Sequence, residues 1–209
     1  MIKAVIFDID GTLLDSFESN LSFFQELMKL RGYKPVTREK YAPLFHKPSW
    51  DIIKILTGLT DDTKIKEIWD FMHTVNIETK PQAMPDGTAE VIKTISKQYL
   101  LGIASGRDKK YIYEAPLDTL QPYFKVAVSY EDTVNHKPHP EPLMLAANKL
   151  GLIPRECLYV GDAETDMQAA HAAGMKFLLY SKNKLPGADY SVSDFAEIPA
   201  TINRISKLE

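Results

Sequence analysis

Apolar positions along this chain change period twice, and the changes divide it into segments of different kinds. Ala4 to Phe7 is a short apolar run ending in Asp8-Ile9-Asp10-Gly11-Thr12. It is too short for a helix and reads as a buried strand followed by a turn. From about Ser16 the spacing becomes helical: Leu21, Phe24, Leu27 and Met28 share a face, with Ser16 as candidate cap and Gly32 as terminator. Ile65, Ile68, Trp69, Met72 and Val75 lie on a second stripe, and Pro35, Pro43 and Pro48 punctuate the stretch between the two helices. Residues 16–80 are therefore expected to be helical and irregular, without a strand.

Beyond Pro85-Asp86-Gly87 the pattern alternates, as in a parallel sheet built of βαβ units. A helix is expected over Ala89 to Ile95, a strand over Leu100–Ala104 ending at Ser105, and a polar helical segment from Asp108. A strand at Val126–Ser129 and a loop carrying Lys137 come next, then a helix through Leu143, Ala146, Ala147 and Leu150 stopped by Gly151. A strand at Leu158–Val160 runs into Gly161-Asp162, a small-residue helix reaches Gly174, and a last strand covers Phe177–Leu179. The expected fold is α/β: a Rossmann-like core of residues 1–15 and 81–209, with a parallel sheet and helices on both faces, and an inserted all-helical cap of residues 16–80.

Composition narrows the function classes. The 209 residues are 44% hydrophobic and 25% charged, an ordinary globular usage with room for a core and an insertion. A net charge of -3 gives no basic footprint, so a nucleic-acid partner is not expected. No apolar run is long enough to span a bilayer, no signal-peptide pattern is legible, and the single cysteine, Cys157, fits a reducing, cytoplasmic setting. Nothing separates monomer from homodimer.

Asp8, Ser105, Lys137 and Asp162 each follow a strand candidate, directly or within a short loop. In an open parallel sheet such positions gather at one edge, where these folds bind ligands. Two carboxylates, a hydroxyl and an ammonium are what phosphoryl transfer through a covalent intermediate needs. A phosphate ester repels a carboxylate nucleophile unless cations neutralise the approach. Mg²⁺ takes one or two carboxylates plus phosphate and water, which Asp8 and Asp162 can supply. Lys137 adds a point charge and Ser105 a donor for the phosphoryl oxygens. Asp10 can protonate the leaving oxygen and then activate water, while Gly11 permits a tight chain reversal.

Asp8-Ile9-Asp10-Gly11-Thr12-Leu13, Ser105, Lys137-Pro138, and Gly161-Asp162 with Asp166 resemble, in order and spacing, the four motifs of the haloacid dehalogenase superfamily. The resemblance implies Asp8 as nucleophile, Asp10 as acid/base, and Ser105 and Lys137 as phosphate and charge stabilisers. It also implies Mg²⁺ held by Asp8, the Asp10 carbonyl and Asp162, with Asp166 as a further ligand or a supporting group. Gly11, Thr12, Gly106 and Arg107 become candidate substrate contacts, although Ser105-Gly106-Arg107 departs from the usual small-polar-Asn pattern. The second aspartate, Asp10, favours phosphatase or phosphomutase over carbon–halogen chemistry. Lys137 to Pro142 and Gly161 to Asp166 look most like the phosphoglycolate phosphatase group and its pyrophosphatase relatives, which implies a small phosphorylated metabolite as partner. A β-phosphoglucomutase-like mutase and a non-catalytic binding protein on the same fold are the alternatives. In resembling enzymes a loop between cap helices closes over the site; here Pro43 to Ser49 is the candidate, with His46 and Lys47 as substrate contacts.

Other readings compete at single residues. Asp-x-Asp-Gly could open a calcium loop, but twelve positions from Asp8 stands Ser19 instead of a bidentate Glu. Asp162 and Asp166 could merely cap the following helix. His136 and His139 are expected to make local contacts, Cys157 to be a buried hydrophobe, and Lys109 and Lys110 to be solvated.

Overall fold

A computed structural model describes residues 1–208. Close contacts divide the chain into two compact units, one of Met1–Asp15 with the segment from Ala83 onward, the other of Ser16–Gln82.

The first unit is built on a six-stranded, wholly parallel sheet: β1 (Ala4–Phe7), β2 (Leu100–Ala104), β3 (Phe124–Val128), β4 (Cys157–Gly161), β5 (Lys176–Tyr180) and β6 (Tyr190–Val192). Their order across the sheet is β3-β2-β1-β4-β5-β6. All four residues of β1 and all five of β4 are buried, as strands covered on both faces must be. Side-chain alternation sorts them between two cores. Val5, Phe7, Leu101, Ile103, Leu158, Val160 and Leu178 face one cluster; Ala4, Ile6, Ala104, Cys157, Tyr159, Phe177 and Leu179 face the other.

Eight α-helices are named here in chain order, four to each unit. In the second unit are α1 (Phe17–Leu30), α2 (Arg38–Tyr41), α3 (Ser49–Thr57) and α4 (Asp62–Thr74). In the first are α5 (Thr88–Ile95), α6 (Glu141–Lys149), α7 (Glu164–Ala173) and α8 (Ile198–Leu208). Val91, Ile92 and Ile95 of α5 and Ile198, Ile202 and Ile205 of α8 enter the first cluster. Leu143, Ala146 and Ala147 of α6 and Ala169 and Ala170 of α7 enter the second, so helices cover both faces of the sheet, the expected α/β class.

The second unit is helical throughout, with no named strand among its described residues. Leu21, Phe24, Leu27 and Met28 of α1 and Ile65, Ile68 and Met72 of α4 are buried on the stripes read from the sequence. Tyr41 is fully buried, with the rings of Phe17, Phe24 and Phe45 at 5.6, 5.7 and 6.4 Å.

Several local expectations need correction. Ser16 occupies the N-cap position of α1 but its side chain makes no cap hydrogen bond, because its backbone is not extended there. Val75 falls just past α4 rather than on it. The polar segment after Asp108 forms only a 3-10 turn, Lys109–Tyr111. Two causes stop a helix: Pro116 has no N–H to give to Ile112, and the Tyr111 carbonyl is taken by Arg107 at 3.2 Å. The third strand begins two residues before the apolar run suggested, at Phe124. β6 and α8 have no counterpart in the sequence reading. Among the described residues, no helix is long and apolar enough to cross a membrane.

Candidate active site

The chain connections reverse direction between β1 and β4, the switch point where open parallel sheets leave a crevice at their carboxyl edge. Asp8 follows β1 and Asp162 follows β4. The Asp8 N–H donates to the Val160 carbonyl at 2.9 Å, which continues the β1–β4 ladder by one residue and fixes the first carboxylate beside the second.

The chain then reverses sharply. Thr12 and Leu14 N–H groups both donate to the Ile9 carbonyl, at 3.1 and 2.9 Å, and Gly11 takes φ +78°. A Cβ at Gly11 would overlap the Asp162 carboxylate, so glycine is required there both for the backbone and for the neighbour. Thr12, fully buried, donates its hydroxyl to Asp162 Oδ1 at 3.4 Å.

Lys137 arrives from the loop after β3. Its Nζ lies 2.9 Å from Asp8 Oδ1 and 2.6 Å from Asp166 Oδ1, and donates to the Tyr159 hydroxyl at 3.1 Å. Tyr159 in turn donates to the Ala104 carbonyl at 2.8 Å. The loop itself is pinned by Glu141, whose carboxylate accepts from the N–H groups of Val134 and Asn135 at 3.0 and 3.1 Å. Asp166 also caps α7: its Oδ2 accepts from the N–H groups of Asp162 and Ala163, each at 3.2 Å. The capping interpretation of Asp166 and its place in the charged cluster therefore hold together. Gly161 is another required glycine, since a Cβ there would overlap the Asp166 carboxylate.

Asp8, Asp162 and Asp166 each present a carboxylate oxygen within 4.8 Å of the other two. One ammonium does not offset three clustered carboxylates, two of them buried and that of Asp162 half-buried. Burial first, then Asp166 and Asp10, pushes the Asp8 carboxyl up to about 7 against the pull of Lys137. Burial, Asp166 and Asp8 push Asp162 up to about 9. Lys137 is held well above its ordinary value, because Asp166, Asp8 and its other partners outweigh its burial. A largely buried, oxygen-only donor set carrying excess negative charge fits a hard divalent cation, which would offset the burial and repulsion that raise both acids.

Ser105 ends β2, buried, its N–H donating to the Val128 carbonyl at 3.0 Å; its Oγ accepts from Arg107 N–H at 3.3 Å. Gly106 is half-buried beside it. Arg107 grips Asp10 with two parallel bonds, Nε to Oδ2 at 2.9 Å and Nη2 to Oδ1 at 2.7 Å. Burial works against its charge, but Asp10 and Glu114 more than offset this and the guanidinium is held above its ordinary value. In the helical unit, His46 and Lys47 are exposed, and the Lys47 N–H closes a turn onto the Leu44 carbonyl at 2.9 Å. The bystander residues behave as expected. His136 stacks on Tyr130 at 4.0 Å, His139 accepts from Glu141 N–H at 3.2 Å, Cys157 is buried, and Lys109 and Lys110 are exposed.

The model of the haloacid dehalogenase-like hydrolase family matches residues 5–180, which include Asp8, Ser105, Lys137, Asp162 and Asp166. The chain belongs to the haloacid dehalogenase-like hydrolases. Within that family it is 30% identical over 178 residues to the pyrophosphatase PpaX of Bacillus pumilus, covering 84% of this chain and 81% of that one. It is likewise 30% identical over 177 residues to a phosphoglycolate phosphatase of Xylella fastidiosa, covering 83% of this chain and 77% of that one. A solved structure of a superfamily hydrolase from Geobacter sulfurreducens superimposes with a TM-score of 0.71 at 31% identity, covering 96% of both chains.

Sequence reasoning missed Tyr159, Glu141 and Glu114 among the residues that hold this hydrolase site together. Tyr159 sits mid-strand and reads as core, and Glu114 lies in a segment expected to be a plain polar helix. Glu141 alone carried a signal, as an acid opening a helix just past the Lys137 loop.

Proposed function

We propose that this hydrolase is a Mg²⁺-dependent phosphatase acting on a small phosphorylated metabolite through an aspartyl-phosphate on Asp8. The observation that carries the reading is Asp8 at the switch point with Lys137 Nζ at 2.9 Å and two further carboxylates beside it. Asp8, the Asp10 carbonyl and Asp162 would hold the cation, with Asp166 steadying Lys137 and the Asp162 loop. Bound there, Mg²⁺ supplies positive charge that keeps Asp8 ionised and offsets the charge of the phosphoryl group.

The residues divide the work. An Asp8 oxygen attacks phosphorus, the bond from phosphorus to the leaving oxygen breaks, and Asp10 gives that oxygen a proton. Water then attacks the aspartyl-phosphate while Asp10 takes its proton, which frees phosphate and restores Asp8. Lys137 and Ser105 offset charge on the phosphoryl oxygens, and Gly11, Thr12 and Gly106 bring backbone close to it. Residues 16–82 act as a cap that selects the rest of the substrate, with His46 and Lys47 as its contacts. Cys157, reduced and buried, fits a cytoplasmic enzyme.

By its similarity to phosphoglycolate phosphatases we take 2-phosphoglycolate as the first substrate, and pyrophosphate as the second on the likeness to a pyrophosphatase. Phosphate release is measured from these two, from sugar phosphates and from p-nitrophenyl phosphate, with Mg²⁺ and with EDTA. Turnover that needs Mg²⁺ and disappears in Asp8→Asn supports the proposal. Metal-independent turnover, or an active Asp8→Asn protein, overturns it. Activity only with a sugar bisphosphate present points to a mutase.

A further inference from the structure

Every hydrogen bond described for the Arg107 side chain ends on a protein oxygen. Nε and Nη2 take the two Asp10 oxygens, and Nη1 reaches the Tyr111 carbonyl at 3.2 Å and Glu114 Oε2 at 3.4 Å. The backbone of Arg107 is fixed as well, its N–H on Ser105 Oγ and its carbonyl accepting from Tyr130 N–H at 2.9 Å. The Arg107 and Asp10 side chains are only 7% and 16% exposed. A two-bond fork sets the plane of the carboxylate as well as its distance, which a single point charge cannot do.

An aspartate left to itself rotates broadly about its terminal torsion. A group that must hand a proton to one oxygen and take it from another gains from having that rotation removed.

We propose that Arg107 is the positioning residue for Asp10, itself held in place by Glu114 and the Tyr111 carbonyl. The departure of Ser105-Gly106-Arg107 from the usual small-polar-Asn pattern thus gains a role on the acid/base side of the site. This rests on the phosphatase reading, in which Asp10 moves the proton.

The test compares wild type, Arg107→Gln, Arg107→Lys and Glu114→Gln on p-nitrophenyl phosphate and on whichever alkyl phosphate wild type hydrolyses, with melting curves to check folding. Both Arg107 variants should lower kcat on the alkyl phosphate by about 10- to 100-fold, within the range proton-transfer groups contribute, with KM within about threefold. The first turnover of p-nitrophenyl phosphate, whose leaving group needs little protonation, should survive as a burst while later turnovers slow. Adding Arg107→Gln to Asp10→Asn should cost little more than Asp10→Asn alone, since Arg107 acts only through Asp10. If the Arg107 variants do not fold, Glu114→Gln carries the test and should lower kcat with KM unchanged. A raised KM with unchanged kcat would mean that Arg107 reads the substrate instead, and full activity in the variants would mean that it is dispensable; either overturns the proposal. Wild type inactive on every ester takes the phosphatase reading down with it, which an altered variant of an active wild type does not.

Discussion

Lys137 and Asp166 meet at 2.6 Å between Nζ and Oδ1, both side chains nearly out of water, so the one ammonium of the cluster is held from behind while it faces Asp8. Removing it leaves two buried carboxylates without their cation. Lys137→Met should abolish turnover and destabilise the fold by about 3–5 kcal/mol, the usual cost of breaking a buried pair on one side. Urea unfolding in EDTA should show a smaller loss at pH 5, where Asp8 carries its proton, than at pH 8. Equal losses at both would mean that Lys137 does not compensate these acids.

Stability should also depend on pH and metal together. Burial and the neighbouring carboxylates raise Asp8 and Asp162 from the ordinary aspartate value of 3.8 to about 7 and about 9 on folding. The folded chain therefore binds more protons than the unfolded one between roughly pH 4 and 9, and stability without metal falls as pH rises through that window. Mg²⁺ must displace those protons, so its stabilising effect should be small near pH 5 and grow towards pH 8 or 9. Melting curves with EDTA or Mg²⁺ at several pH values test this; a metal-induced shift independent of pH would contradict it.

Gly11→Ala should damage the site more than its size suggests. Positive φ costs an alanine about 1–2 kcal/mol, and its methyl would have to push the Asp162 carboxylate aside. The Mg²⁺ concentration for half-maximal activity should rise well above that of wild type. An unchanged metal requirement would show that Asp162 tolerates displacement.

Lys47→Ala addresses the proposed cap. If Lys47 meets an anionic group beyond the phosphoryl, KM for the true substrate should rise while turnover of p-nitrophenyl phosphate stays nearly constant. Parallel changes on both substrates, or none, would remove the Pro43 to Ser49 loop from specificity.

How much of this was legible follows from where each signal lies. β2 was readable to the residue, because its run from Leu100 to Ala104 is bounded by the polar Ser96-Lys97-Gln98 stretch and Ser105. Asp8, Lys137 and Asp162 could be grouped because strand ends of a parallel sheet share one edge. What brings Arg107 onto Asp10 is not local: the two stand 97 residues apart, and an arginine after a strand-end glycine reads equally well as a ligand contact. The missed helix α8 had its signal, Ile198, Ile202 and Ile205 at helical spacing, but Pro199 beside the first of them reads as a break rather than a helix start.

β1 lies in the middle of the sheet, yet in chain order it precedes the other five strands of that sheet. Its partners are Leu100–Ala104 and Cys157–Gly161, so Ala-Val-Ile-Phe leaves the ribosome long before either neighbour. At ordinary synthesis rates the wait for β4 is on the order of ten seconds. Residues 16–82 are made in that interval before β2, the first of the two partners of the strand carrying Asp8. The proposed nucleophile is thus translated well before the strands that fix its place have been made.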